Sequence, residues 1–431
     1  MADGNTKNHR ALAEGGAPTV HRKERDLIQT WDTATDKLPL HTVQYAYETP
    51  EREEAFKRSQ FPTAEEWERY QWYRSEWHRR PKEEDPGPAP LAVTCELVSS
   101  CNLACTMCYT ISKEFENSIT GAQRMMSWPV VKAVIDECAA LGVPSMLFSW
   151  RGEATLYKGW EGKRKITFPD VLKYARAKGI LEITAVTHGQ LIDEEMAKAI
   201  IDAEPSWISF SIDGMGDTYN KIRTPKNKKG TDYDAFSVVM KNIERLADIR
   251  NAAGKTRPQI RTNAIFPAVA ENPELYWKTL EAAGVDMITV NELLDLRGGD
   301  LEEGAIADQW GCAYPFQRLT VSANGILLPC TGAYHEQSGL VLGHYEGTPP
   351  KQTRNDDGTL AVTDMGAFDL KATWHGEVLK NIRQLHVEGR RSEIEPGCRH
   401  CNHGAKKHGA DRDPAEWDND AQAWVNTERK G

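Results

Sequence analysis

The residues with the clearest chemical potential are cysteines, of which this 431-residue sequence has nine. Cys101, Cys105 and Cys108, in the segment SSCNLACTMCYT, have the spacing C-x3-C-x2-C. Three thiolates so placed can hold three irons of a [4Fe-4S] cube and leave the fourth iron without a protein ligand. Such an open position would let a cluster bind and reduce a substrate molecule. A three-cysteine zinc site, or a cluster that only carries electrons, would use the same residues. Cys312, Cys330, Cys398 and Cys401 lie further along, the last two as a C-x2-C pair. They could hold a fully ligated second cluster or a structural zinc. Cys138 shares an apolar helical face with Val131, Val134 and Ile135, and Cys95 alternates with Val93 and Leu97, so both read as core. If Cys95 faced a cavity instead, its thiol could return a hydrogen atom to a substrate radical and make the reaction an epimerisation.

The elements that must position these cysteines follow from hydrophobic periodicity. From residue 91, short apolar runs alternate with amphipathic segments. Strands are expected at 91–98, 144–150, 181–189, 207–213, 259–266 and 286–293. Between them lie helical patterns such as WPVVKAVIDECAALG behind Ser127 and PDVLKYARAKG behind Thr167. Six β–α repetitions predict parallel strands with outer helices, curled by right-handed crossovers, with functional loops at the strand C-terminal ends. The Cys101–Cys108 group follows the first strand directly. Near the C-terminus, RLTV and ILLPC around Ala323-Asn324-Gly325 predict a hairpin. DLKATWHGEVLKNIRQLHVEG predicts a helix after it.

In this setting CNLACTMC resembles the cluster motif of the radical SAM superfamily. The resemblance implies a [4Fe-4S] cluster whose open site binds S-adenosylmethionine (SAM) through its amino nitrogen and carboxylate. It places Met107 near the adenine and Tyr109 along the same edge. SWRGEAT falls where the family commonly has Gly-Gly-Glu-Pro; Gly152 and Glu153 match, whereas Arg151 and Ala154 depart. Glu153 would accept hydrogen bonds from the SAM amino group, and Gly152 would permit close backbone approach. Arg151 could address substrate or the SAM carboxylate. THGQLID resembles the family's Thr-Asn-Gly-x-Leu, with His188 at a variable position. In FSIDG, Ser211 and Asp213 share a face and suit the ribose or methionine part of SAM, and Arg223 could pair with the methionine carboxylate. The C-terminal cysteines, with VLGHY and CRHC, resemble the SPASM or twitch extensions of that family. A full SPASM set has seven cysteines. Four imply one auxiliary [4Fe-4S] cluster at Cys312, Cys330, Cys398 and Cys401, suited to electron transfer or electrostatic tuning.

The expected fold is therefore an α/β partial (β/α)6 TIM-like barrel with a small α+β C-terminal iron–sulfur domain. Its expected parts are an N-terminal extension (1–89), the barrel (90–305), the auxiliary domain (306–415) and a tail (416–431). In the extension, Thr63 and Glu66 have capping-box spacing, and Trp67, Tyr70, Arg74 and Trp77 form an aromatic face expected to dock on the barrel. The net charge of −10 disfavours nucleic acid or anionic membrane as a partner, and no apolar run spans a bilayer. With no hydrophobic stretch at its start, the chain is expected in the cytoplasm. The expected partners are SAM, a flavodoxin- or ferredoxin-like reductant and a small-molecule substrate. The expected reaction is dehydrogenation or epimerisation of a carbohydrate-like or polyhydroxylated molecule, because the N-terminal region lacks a leader-peptide-binding pattern. Peptide maturation is the enzymatic alternative, and a non-enzymatic iron–sulfur or zinc adaptor the other.

Overall fold

A computed structural model describes residues 45–46, 50–108, 110, 125–228, 232–269, 272–291, 311–333, 340–354, 360–363, 366–394, 397–398, 416–418 and 423–425. After the short strand β1 (Tyr45–Ala46) come helices α1 (Pro50–Gln60) and α2 (Ala64–Lys82). The barrel then runs β2 (Ala92–Cys95), α3 (Trp128–Ala140), β3 (Ser145–Leu147), a hairpin of β4 (Lys158–Glu161) and β5 (Arg164–Thr167), and α4 (Phe168–Ala177). It continues through β6 (Glu182–Thr187), α5 (Glu194–Ala203), β7 (Trp207–Ser211), α6 (Gly216–Ile222), α7 (Ala235–Ala252), β8 (Gln259–Ile265), α8 (Pro273–Ala282) and β9 (Met287–Asn291).

Strands β2, β3, β6, β7, β8 and β9 pair in parallel in that order, as the six β–α repetitions require. Their alternation assigns the two faces. Val93, Cys95, Met146, Ile183, Ala185, Ile208, Phe210, Ile260, Ile288 and Val290 are fully buried with the helices in one core. The alternate positions, turned from the helices, include Thr94, Thr184, Ser209, Ser211, Asn263 and Thr289. A barrel whose interior is polar can hold a polar ligand without orphaning it.

The C-terminal region is not a separate sheet. Strand β10 (Arg318–Val321) pairs in parallel with β2, and β11 (Ile326–Leu328) and β12 (Gly343–Tyr345) continue outward. One eleven-stranded sheet therefore crosses the expected boundary at 305/306. The hairpin turn is as expected: Gly325 N–H donates to Ser322 O at 2.7 Å, and Gly325 takes a φ of +82° that favours glycine. Beyond it, a hairpin of β13 (Lys351–Arg354) and β14 (Leu360–Thr363) precedes the edge strand β15 (Ala367–Phe368). The expected single helix is two, α9 (Leu370–Trp374) and α10 (Glu377–Val387), broken at His375-Gly376.

Helix α2 begins in the expected capping box: Glu66 N–H donates to Thr63 Oγ1 at 3.1 Å, and the Glu66 carboxylate accepts in return. The other Glu66 oxygen accepts from Arg257 at 2.8 Å. Arg69 bonds Gly179 O, Gln317 bonds Trp77 O, and the Arg318 guanidinium lies 4.8 Å from the Trp77 ring. Gly179, Arg257 and Gln317 all precede strands, so this aromatic helix docks at the strand N-terminal ends, opposite the motif-bearing loops. Replacing Thr63 with Ala should cost about 1 kcal/mol in a urea melt, with no change in cluster content, because the cap lies at the far end of the barrel.

Candidate functional site

The Cys101–Cys108 loop leaves the C-terminal end of β2 and is clamped by backbone on both sides. Glu153 N–H donates to Ser100 O at 3.0 Å. On the other flank, Ala104 N–H donates to Thr224 O at 2.8 Å, Thr106 N–H to Ile222 O at 3.3 Å, and Lys226 N–H to Asn102 O at 2.8 Å. Cys105 is buried, while Cys101 and Cys108 are half-buried. Burial, with the Glu153 carboxylate next in effect, pushes the Cys101 thiol up to about 12. Burial also raises Cys105, although the Arg223 guanidinium opposes it, with a terminal nitrogen 3.8 Å from the sulfur. These thiols ionise readily only against a strong local positive charge, such as bound metal.

Gly152 lies against this loop so closely that a Cβ there would come within 2.4 Å of Val98 O and 2.6 Å of Ser100 O. The close approach expected of Gly152 is thus made to the cluster loop itself. Glu153 is fully buried. One oxygen accepts from Thr155 N–H, Thr155 Oγ1 and Thr187 Oγ1; the other accepts from His188 N–H at 3.0 Å. Burial alone pushes its carboxyl up, but His188 and the hydroxyl and backbone donors outweigh that and hold it below its ordinary value. The oxygen facing His188 has the spare acceptor capacity.

Sequence reasoning placed His188 only at a variable motif position and gave Asn102 and Gln190 no role. His188 Nδ1 accepts from Gln190 N–H at 3.0 Å, so its proton sits on Nε2, which donates to Asn102 Oδ1 at 2.9 Å. The strand-end segment THG is thereby tied to the cluster loop. Burial holds His188 below its ordinary pKa, in the neutral form that this pattern needs.

Two of the expected residues are engaged inside the protein, and the first is Arg151. Its side chain is fully buried against Glu96, donating from Nε at 3.0 Å and from a terminal nitrogen at 2.6 Å, with its guanidinium 3.8 Å from the Trp150 ring. Glu96 also accepts from Ala323 N–H at 2.9 Å, in the β10–β11 turn, and Trp150 Nε1 donates to Thr331 O at 2.9 Å. Cys95 is fully buried among helix-facing apolar side chains, its sulfur 3.7 Å from that of Met126, and burial raises its thiol far above the ordinary value. It lies on the helix-facing side of β2, as its alternation with Val93 predicts, and not on the side that Thr94 presents to the barrel interior.

Asp213 and Arg223 do come together: the carboxylate takes two guanidinium nitrogens and Ile265 N–H at 2.9 Å. Burial alone would lower Arg223, but the Asp213 charge outweighs it and raises the pKa. Both groups are mutually engaged, so Arg223 reaches a carboxylate only with the nitrogen now near Cys105. Ser211 ends β7 with no hydrogen-bond partner among the described residues, and Met107 is half-exposed. Tyr109 and Cys401 lie outside the described residues.

The Radical SAM superfamily model matches residues 96–251, from Glu96 through most of α7. The chain carries a radical SAM domain. It is 31% identical to Fe-coproporphyrin III synthase of Methanosarcina barkeri over 47% of each chain. It is 32% identical to the serine-type anaerobic sulfatase-maturating enzyme of Bacteroides thetaiotaomicron over 34% of each. The aligned segments thus span about half, or less, of those relatives. Among solved structures, anSMEcpe with bound AdoMet matches at a TM-score of 0.46 and 17% identity, covering 73% of this chain and 87% of that one.

Among the described residues, no three His, Cys, Asp or Glu side chains converge as a single metal ion requires. A cube makes no such demand, because its three protein ligands go to three different irons. The soft donor set fits it. At the second set, Cys312 precedes a helical turn (Tyr314–Phe316) that leads into β10, and Cys330 follows the end of β11. Cys398 is held by Arg391, which donates twice to its carbonyl, at 3.1 and 2.7 Å. His386 on α10 is buried with neither ring nitrogen hydrogen-bonded; burial, then Arg391, pushes it down to about 3.

Two tests follow from this geometry. Arg151→Met strands the Glu96 carboxylate and should cost about 3–5 kcal/mol, read as a loss of thermal stability. Adding Glu96→Gln should restore much of it, since the amide still accepts from Ala323 N–H. For His188, the folded-state pKa lies below the unfolded value of about 6.5, so the unfolded chain binds the extra proton. Stability should hold above that pH and fall as pH drops through it, and His188→Asn should flatten this dependence in melts across pH 5–8.

Proposed function

We propose that the protein is a radical SAM enzyme whose Cys101, Cys105 and Cys108 thiolates hold the reactive cluster. The observation that carries this reading is the clamped loop: three soft sulfur donors brought together after β2, with no fourth protein ligand among the described residues. A [4Fe-4S] cluster bound there supplies the electron that splits SAM into methionine and a 5′-deoxyadenosyl radical, which takes hydrogen from the substrate. The chain's own residues bind and orient. The Glu153 oxygen beside His188 accepts from the SAM ammonium, Ser211 offers its hydroxyl at the end of β7, and Arg223 neutralises the carboxylate. Met107 and Tyr109 line the adenine edge. Cys312, Cys330, Cys398 and Cys401 would hold one auxiliary [4Fe-4S] cluster, which would supply electron transfer.

For the substrate, we favour a peptide or protein side chain over the carbohydrate-like molecule expected from sequence. The sugar expectation rested on the N-terminal region, whose described helix α2 docks at the end of the barrel remote from the motifs. A relative sharing 32% identity is named for maturing a sulfatase at serine. The name of the other relative, Fe-coproporphyrin III synthase, favours a tetrapyrrole as the second reading.

The test is anaerobic reconstitution followed by SAM and dithionite. Release of 5′-deoxyadenosine, abolished by Cys101→Ala, is expected; none from a fully loaded protein overturns the reading. About eight irons per chain are expected for two cubes. About four irons with one zinc would assign the second set to zinc. A serine- or cysteine-bearing peptide should stimulate SAM cleavage more than Fe-coproporphyrin III or an aminocyclitol does; the reverse order overturns the peptide choice.

A further inference from the structure

The β4–β5 hairpin, inserted straight after Glu153, has no role in the site described above. Its antiparallel register pairs Lys158 with Thr167, Gly159 with Ile166, and Trp160 with Lys165. The alternation of strand side chains then divides it into two faces. Gly159 and Ile166 are buried, and a Cβ on Gly159 would meet Tyr157 and Trp128. Lys158, Trp160 and Lys165 turn outward, with Lys163 exposed at the tip. Trp160 is 60% exposed, the highest value among the exposed large apolar side chains of the described residues.

The charges are unbalanced. Residues 158–167 carry four cations and one anion in a chain of net charge −10. Arg164 is bonded to Asp170, and Glu161 faces Lys132 at 3.9 Å. Among the described residues, Lys158, Lys163 and Lys165 have no carboxylate partner. Three unbalanced lysines around an exposed indole are a poor solvated face. They combine a steering field with an aromatic anchor, as protein-binding surfaces do.

The hairpin also sits beside the reactive end. Lys158 N–H contacts Met125 Sδ at 3.3 Å, and Met125 bridges to Val98, three residues before Cys101. The base of the hairpin is thus two contacts from the cluster loop, on the outer side of the barrel, where a partner would not block substrate entry.

From this placement we infer that the outer face of the β4–β5 hairpin, with Trp160 at its centre and Lys158, Lys163 and Lys165 around it, docks an acidic one-electron donor protein. The inference rests on the radical SAM reading, whose cluster needs one electron for each SAM cleaved. The docked donor is oxidised by one electron and the Cys101–Cys105–Cys108 cluster is reduced by one; no bond changes hands.

The experiment compares two reductants on the reconstituted full-length protein. One is a reduced flavodoxin, an acidic protein; the other is reduced methyl viologen, a small cation that needs no docking surface. The triple variant Lys158→Glu, Lys163→Glu, Lys165→Glu should slow flavodoxin-driven cluster bleaching in stopped flow by about tenfold or more at low salt. The viologen-driven rate should be unchanged. Raising ionic strength should slow the wild type and narrow the gap. Trp160→Ala should raise the flavodoxin concentration needed for half-maximal rate.

An unchanged flavodoxin rate in the triple variant overturns the inference, as does an equal loss with both reductants, which would mark the hairpin as structural. A raised KM for an acidic substrate peptide with an unchanged flavodoxin rate also overturns it, by assigning the face to substrate. If wild-type protein forms no 5′-deoxyadenosine even with viologen, the radical SAM reading fails instead, and the two failures are distinguishable.

Discussion

The buried Glu96–Arg151 pair joins three parts of the chain that are remote in sequence. Glu96 follows β2 and leads into the cysteine loop; Arg151 opens the segment that supplies Gly152 and Glu153; Ala323 is the turn of the C-terminal hairpin. The Glu96 carboxylate takes donors from the other two, with both side chains of the pair fully shielded from water. Such a pair adds little net stability, because removing two charges from water offsets their attraction. What it does impose is register. A shift of any of the three segments would leave a buried charge without its partner, so the relative positions of the first cysteine loop and the β10–β11 turn are fixed by a penalty rather than by an attraction.

The remaining motif residues follow the same logic. Gly152 admits the Val98–Ser100 backbone, Thr155 and Thr187 orient Glu153, His188 reaches Asn102, and Asp213 aims Arg223 toward Cys105. Apart from Ser211, each of these polar side chains at the strand ends holds a neighbour before it can hold a ligand. That is the pre-organisation a site needs if binding energy is not to be spent on ordering its own loops. It also explains why so many charged and hydroxyl groups are buried here at little apparent cost: nearly all have partners within the protein.

Much of this was legible in the sequence, and the losses have physical causes. The six strands were readable because one face of each must be apolar under a helix; their ends were overestimated by one to three residues where strand-end residues serve in the loops. The hairpin at Asn324-Gly325 was readable because only glycine takes that φ easily. The fate of Arg151 was not. An arginine in place of a motif glycine reads as a new ligand contact until its partner, 55 residues away, is known. Cys95 was correctly read as core by alternation, whereas the option of a hydrogen donor required a cavity on the wrong face. The β4–β5 hairpin escaped notice because KGWEGKRKIT has too few apolar residues to show a period of two.

The pairing of β10 with β2 changes how the two cysteine sets relate. A separate C-terminal domain could swing, and the distance between its metal site and the barrel would then vary. Here β10 continues the barrel sheet in parallel register from Arg318 opposite Ala92 to Val321 opposite Cys95. Strand pairing, the Glu96 contact to Ala323 and the Trp150 contact to Thr331 all lock the hairpin beside the Glu153 segment. An auxiliary cluster carried by Cys312 and Cys330 would therefore sit at a fixed separation from the first. Fixed separation favours electron exchange over a shuttle that depends on domain motion. The same closure leaves the opposite, N-terminal end of the barrel to α2 and its aromatic face, so the cysteine loop and the polar strand ends lie at the end that α2 leaves uncovered.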